Sequence, residues 1–168
     1  DILTTDAYSE NDEIDSVIVW SGLNYPDALA ASSLAGKNVP ILLTDPNVLS
    51  EQTKKQIQRL KPKNIYVIGG TSAVSNIVFS KLKALVTNVQ RISGETRYDT
   101  ALEIMDTCYT LNGSSNTAII ATGTNFADAL SISSYSSNTN SPIILSDPVS
   151  GLSSDALAKI KEYGYSNI

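Results

Sequence analysis

Apolar residues in this chain gather in short runs with almost no polar interruption. Ile41-Leu42-Leu43, Ile65-Tyr66-Val67-Ile68 and Ile143-Ile144-Leu145 are the clearest. A half-exposed strand alternates apolar and polar positions, whereas an unbroken run fits a strand covered on both faces, as in a parallel sheet flanked by helices. The pattern predicts strands at Ser16–Ser21, Pro40–Thr44, Asn64–Gly69, Val89–Ile92, Thr117–Thr122 and Pro142–Ser146.

The segments between these strands have helical period and their own start signals. Asn24 and Asp27, repeated as Asn125 and Asp128, have the spacing of an N-cap followed by a first-turn acid. Pro26 suits a first turn, where its missing N–H costs nothing. Ser50 and Ser153 predict two further N-caps, with Leu49 and Leu152 just outside them as hydrophobic staples. From about Glu95 to Leu111, Tyr98, Leu102, Met105 and Tyr109 recur at helical spacing and predict one buried stripe. The order β-α-β-α-β-α calls for parallel strands joined by right-handed crossovers.

The chain also repeats itself. Val17–Leu29 (VIVWSGLNYPDAL) returns as Ala118–Leu130 (AIIATGTNFADAL), and Pro40–Pro46 (PILLTDP) returns as Pro142–Pro148 (PIILSDP). A duplicated unit points to a scaffold or a multivalent binder, because a single catalytic centre has no need to be made twice. Residues 1–87 form a first repeat without its first strand and most of its first helix; residues 88–168 form a second without its last strand and helix. Val89–Ala101 has no counterpart in the first copy, and Ile168 aligns with Ile65, where a further strand is due. Repeats divided in this way imply a fragment of a longer protein, with sheet edges able to pair with another copy.

At 168 residues, 42% of them hydrophobic and 17% charged, the chain is an ordinary globular one with material for one large core or two small ones. A net charge of −5 argues against nucleic acid as a partner. No apolar run approaches the roughly 20 residues that a membrane span needs. Cys108 has no second cysteine to pair with. Histidine is absent, which removes Ser-His-Asp and Cys-His nucleophile systems along with the commonest metal ligand. Charge is unevenly spread: six of the 17 acids lie in residues 1–15, and seven of the 12 bases lie between Lys54 and Lys83.

Each candidate for chemistry has a plainer structural role beside it. Asp27 and Asp128 close an N-x-[PA]-D-A-L motif at the C-terminal end of a strand, where open α/β sheets bind ligands, yet an acid there also caps its helix. Asp45 and Asp147 sit in T-D-P and S-D-P turns; Asp27 with Asp45 would make a minimal general acid/base or divalent-metal pair, but Asp-Pro is itself a turn signal. No further acid follows at D-x-D spacing, so no metal or other cofactor is expected. Gly69-Gly70-Thr71 follows a strand without completing a dinucleotide or Walker motif. Arg97 is expected to pair with Glu95 or Asp99. Arg91 is open to an ion pair or to an anionic ligand. Cys108 belongs to an apolar helix face, and Trp20 is either local packing or a sugar-stacking surface.

Pro26–Leu29, Pro40–Pro46, Tyr66–Gly70 (YVIGG) and Arg91–Ala101 (RISGETRYDTA), in this order, resemble the cell-wall-binding repeat 2 family of Gram-positive bacteria. The resemblance covers nearly all of the chain beyond the acidic flank. It implies tandem Rossmann- or Toprim-like α/β repeats, with mainly parallel sheets flanked by helices, packed with neighbouring repeats in a threefold, trimer-like assembly. It further implies a non-catalytic extracellular module that holds an anionic wall polysaccharide non-covalently and anchors an S-layer or other surface protein. The family's P-I-L-L motif is implicated in polymer binding, which carries over to Ile41, Leu42 and Leu43 and, in modified form, to Ile143, Ile144 and Leu145. Such a run is also what a buried strand requires. Arg91, the basic stretch Lys54–Lys63, helix N-termini and hydrogen bonds to sugar hydroxyls would supply local attraction despite the net negative charge. Two alternatives stand beside the anchor: a small Toprim-like enzyme using Asp27 and Asp45 with a divalent ion, and a purely structural spacer.

Overall fold

The structure is a computed structural model that describes residues 14–23, 30–36, 39–113 and 115–168. The elements are β1 (Ser16–Ser21), α1 (Ser32–Ala35), β2 (Ile41–Thr44), α2 (Glu51–Leu60), β3 (Asn64–Ile68), α3 (Asn76–Leu85), β4 (Asn88–Ile92), α4 (Arg97–Asn112), β5 (Ile119–Thr122), α5 (Phe126–Thr139), β6 (Ile143–Ser146) and α6 (Ser154–Glu162). The chain is thus α/β, and every strand pair is parallel. The expected caps at Asn24 and Asp27, with Pro26, lie outside the described residues.

Two compact units result: Asp1–Asn24 with Asn38–Ile92, and Tyr25–Lys37 with Ser93–Ile168. Packing therefore divides the chain differently from the repeat boundary at 87/88. Strand β4, placed by the expected boundary in the second repeat, pairs with β3 in the first unit, and α1 packs on α4 and α5 in the second unit.

The first unit is a sheet ordered β2-β1-β3-β4. Val17, Val19, Ile65, Val67 and Val89 face α2 and α3, where they meet Ile57, Leu60, Val78 and Leu82 in one buried cluster. Each such side chain contributes about 2 kcal/mol by leaving water. Ile18 and Ile68, on the alternate positions, are buried as well, as the unbroken apolar runs require. Ser50 and Ser75 cap α2 and α3, accepting from the N–H groups of Thr53 and Val78.

The second unit contains β5 and β6 with α1, α4, α5 and α6. Leu102 and Met105 of α4 pack with Ala118, Ile144 and Ile160. Thr96 and Asp99 make a reciprocal capping box at the start of α4. The expected buried stripe holds at Leu102 and Met105 but not at Tyr109, which is 38% exposed. Its ring stacks on Tyr163, just past the end of α6, at 4.1 Å between centroids, while Ile104 and Cys108 take the buried positions. Lys159 of α6 and Tyr163, at the C-cap of that helix, both donate to Asp106 Oδ1, each at 2.8 Å, and so fix α6 to α4.

The duplication extends to the hydrogen-bond register. Ile18 pairs with Ile41 as Ile119 pairs with Ile143, and Ser21 with Thr44 as Thr122 with Ser146. Ile18 N donates to Pro40 O, and Ile119 N to Pro142 O; Gly22 N donates to Thr44 O, and Gly123 N to Ser146 O. Ser16 pairs with Asn64 at the edge of β3, and Thr117 forms the matching isolated bridge to Asn167.

Candidate functional site

The two P-I-L-L segments occupy corresponding strands but differ in exposure. In β6, Ile143, Ile144 and Leu145 are all buried, with α4 packed on the strand. In β2, an edge strand, Leu42 is buried, Ile41 is half-buried and Leu43 is 54% exposed, against 3% for its counterpart Leu145. Five of these six side chains are thus wholly or partly withdrawn from solvent, so their first role is packing. Leu43 alone among them presents a broad apolar face.

Arg91 lies on β4, the opposite edge of the same sheet from β2. Three strand spacings separate the two edges by about 14 Å. The structure therefore does not bring Arg91 together with Ile41, Leu42 and Leu43. Its Nη1 donates to Gly69 O at 2.7 Å and Gly70 O at 3.1 Å, its Nη2 donates to Val74 O at 2.8 Å, and its guanidinium lies 4.9 Å from the Phe79 ring centroid. Arginine is used here as a rigid fork that gathers the carbonyls of the turn between β3 and α3. Burial lowers its pKa from the ordinary value, since all three acceptors are neutral.

The carboxylates fare similarly. Asp45 Oδ1 accepts from Asn47 N at 2.8 Å and Val48 N at 3.2 Å, closing its own turn. Asp147 Oδ1 accepts from Val149 N at 3.0 Å, Ser150 N at 2.9 Å and Ser150 Oγ at 3.1 Å. The Ser150 and Val149 N–H groups, and then the Ser150 hydroxyl, hold the Asp147 pKa below the usual carboxylate value. Asp27 lies outside the described residues. Among those described, no three His, Cys, Asp or Glu side chains converge to hold a metal ion. Burial pushes the Cys108 thiol up to about 12, an inert position for a nucleophile.

One cluster was not foreseen. Tyr98 OH donates to Asp147 Oδ2 at 3.2 Å, and Arg97 Nη1 donates to Gly123 O at 2.8 Å. The expected pairing of Arg97 with Glu95 or Asp99 does not form; the Asp99 carboxylate instead accepts from Thr96 N and Oγ1. Glycine at 123 leaves room for the Tyr98 ring, which a Cβ there would displace. The Arg97-Tyr98 pair thereby joins the start of α4 to the C-terminal ends of β5 and β6, the end of a parallel sheet where ligands bind. A signal for it existed in the repeated glycine, Gly22 and Gly123, immediately after the first strand of each copy.

Duplicated register, duplicated turns and carboxylates bound into those turns define a tandem-repeat α/β module. Residues 2–79 and 91–166 match the cell wall binding domain 2 (CWB2) family, and the chain belongs to it. It is 33% identical to the N-acetylmuramoyl-L-alanine amidase LytC of Bacillus subtilis over 153 residues, 90% of this chain and 30% of the amidase. It is 40% identical to the amidase enhancer of the same organism over 122 residues, 72% of this chain and 17% of that protein. The chain therefore spans less than a third of either relative. The solved structures of Cwp6 and Cwp8 from Clostridium difficile superpose with TM-scores of 0.83 each, at 31% and 33% identity, covering 90% and 94% of this chain and 24% and 27% of theirs. The chain is a cell wall binding domain with the mixed α/β fold of those proteins. Among the described residues no helix is long and apolar enough to cross a membrane.

Proposed function

We propose that this domain is a non-catalytic, extracellular anchor that holds an anionic wall polysaccharide non-covalently and so tethers the remainder of a surface protein. The observation that carries the proposal is the internal duplication. Two units with one register and one set of turns suit repeated weak attachment to a repeating polymer, where effective concentration multiplies modest affinities. Turnover gains nothing from a second scaffold. Asp45, bound into its own turn, weighs against the metal-enzyme alternative. Each P-I-L-L segment, residues 41–43 and 143–145, acts in this reading by shaping the strand on which a binding surface is built. Arg91 acts by fixing the Gly69-Gly70 turn, leaving its unused N–H donors for the polymer. Further repeats of the parent protein would complete a threefold, trimer-like packing.

The test is retention of the full-length parent protein on purified walls before and after the anionic polymer is stripped. Retention that drops at least tenfold on stripped walls supports the proposal. Equal retention on both rejects polymer binding and favours the spacer.

A further inference from the structure

Lysine is concentrated in one place on this acidic chain. Helices α2 and α3 both cover the Val17, Val19 and Val67 face of the four-stranded sheet, and a trough runs between them. Two cavities, of about 480 and 290 Å³, are both lined by Ala84 and Leu85 and so lie next to each other along a groove between the helices. Lys54 and Lys81, with the single acid Glu51 beside them, line one stretch of it, Lys61 and Lys63 the other. The rise along α2 from residue 54 to residue 61 separates the two charged stretches by about 10 Å. Lys63 pairs with Asp15 at 2.7 Å and Lys54 loosely with Glu51 at 3.9 Å, both in exposed positions. Lys61 and Lys81 have no ion pair among the described residues.

The second repeat shows that the fold does not need these charges. It keeps the Ser153 cap, the buried Ile160 and the Asn167 bridge that match Ser50, Ile57 and Asn64. At the positions of Lys54, Lys61 and Lys63, however, it carries Leu157, Gly164 and Ser166. Lys61 is the most telling, because its φ is 46° while its counterpart Gly164 has φ 71°. Glycine adopts this left-handed conformation without steric cost and lysine does not. A strained non-glycine residue at an exposed position is a sign of function.

We infer that this groove is the track of the polymer: a linear glycopolymer with phosphodiester charges lies between α2 and α3 of the first repeat, meeting Lys54 and Lys81 along one stretch and Lys61 and Lys63 along the other. The inference rests on the reading that the wall polymer is anionic. A small anion reaches one pair of lysines; only an extended chain reaches both. The groove offers ammonium point charges and no guanidinium fork, a match for phosphodiester oxygens in place of the bidentate pairing that carboxylates favour. The second repeat, with Leu157, Gly164 and Ser166 where the first has Lys54, Lys61 and Lys63, contributes packing rather than electrostatic attraction.

The probe is poly(glycerol phosphate), titrated calorimetrically into the protein across a salt series, with K54Q/K61Q/K81Q beside the native chain. A control variant, K55Q/K83Q/K161Q, makes the same change in net charge outside the groove. The groove variant is expected to bind at least tenfold more weakly and the control within twofold of the native chain. Counterion release at about 0.7 per contact flattens the salt slope of the groove variant by about 2. Circular dichroism melting of both variants checks that the fold is kept, and K61G supplies a second charge removal that the left-handed backbone accommodates. The groove is refuted if its variant binds like the native chain, if the control loses as much, or if a polyuronate of equal length and charge binds as tightly. Failure of the native chain to bind poly(glycerol phosphate) while it binds the polyuronate refutes the groove alone; failure to bind either polymer refutes the anionic-polymer reading and the groove with it.

Discussion

Leu43 and Leu145 hold the same position in two copies of one motif, and truncating each to alanine separates packing from recognition. Leu145 is 3% exposed, so Leu145→Ala loses both the transfer of the removed atoms from water and the contacts around the resulting cavity. Buried Leu→Ala changes cost about 3 kcal/mol at the lower end of the observed range. Leu43 is 54% exposed, so about half of the transfer term is at stake and no enclosed cavity forms. Its truncation should cost about 1 kcal/mol.

Urea unfolding followed by far-ultraviolet circular dichroism measures the difference. With a slope of about 2 kcal/mol/M, the midpoint falls by about 1.5 M for Leu145→Ala and about 0.5 M for Leu43→Ala. Wall retention of the folded proteins supplies the second readout. Should the triplet act through the fold, Leu43→Ala stays within twofold of the native protein, because its fold is nearly intact. Equal midpoint shifts for the two variants would refute the packing argument. A tenfold loss of retention in Leu43→Ala with its stability preserved would show that the triplet touches the polymer directly.

Three further outcomes follow from the same geometry. Arg91→Lys keeps the charge but cannot span the carbonyls of Gly69, Gly70 and Val74, and it should lower stability by about 2 kcal/mol in thermal or urea unfolding. The Asp147 pKa is lowered in the folded state, so its contribution is complete above the unfolded value of about 3.9 and disappears as pH falls through the folded value. The melting temperatures of native protein and Asp147→Asn should accordingly converge on acidification through that window. Lys61→Gly relieves a left-handed residue and should raise stability by about 1 kcal/mol while weakening polymer binding, a pair of opposite effects that calorimetry and melting curves resolve.

The strands were legible because their evidence is local. An unbroken apolar run such as Ile65–Ile68 declares a strand covered on both faces wherever its neighbours lie, and Ser50 and Ser153 declare their helix starts within three residues. The groups that the sequence assigned less well depend on partners distant along the chain. Tyr109 left the buried stripe because Tyr163, at the C-cap of α6, offered a stacking face outside it. Arg97 passed over its neighbours for the carbonyl of Gly123, because Asp99 was already engaged in the cap of α4. The exchange of β4 and α1 between the compact units was equally invisible, since no local pattern records which sheet edge a strand will join.

Comparing the copies separates what the fold requires from what it merely permits. The register, the serine caps at Ser50 and Ser153 and the acceptance of two turn N–H groups by Asp45 and by Asp147 recur in both, and each has a hydrogen-bond reason to do so. Lys61 and Lys81 have no ion pair among the described residues, and Lys61 stands against the backbone preference at its own position. Selection for stability alone would favour glycine at Lys61, as at Gly164, for a gain of about 1 kcal/mol. A residue that lowers stability, sits on the surface and adds positive charge to a chain of net charge −5 is explained by what it meets outside the protein. The duplicated scaffold and the unduplicated charge then have different tasks: the first repeats the unit along the wall, and the second decides where along the unit an anionic chain is held.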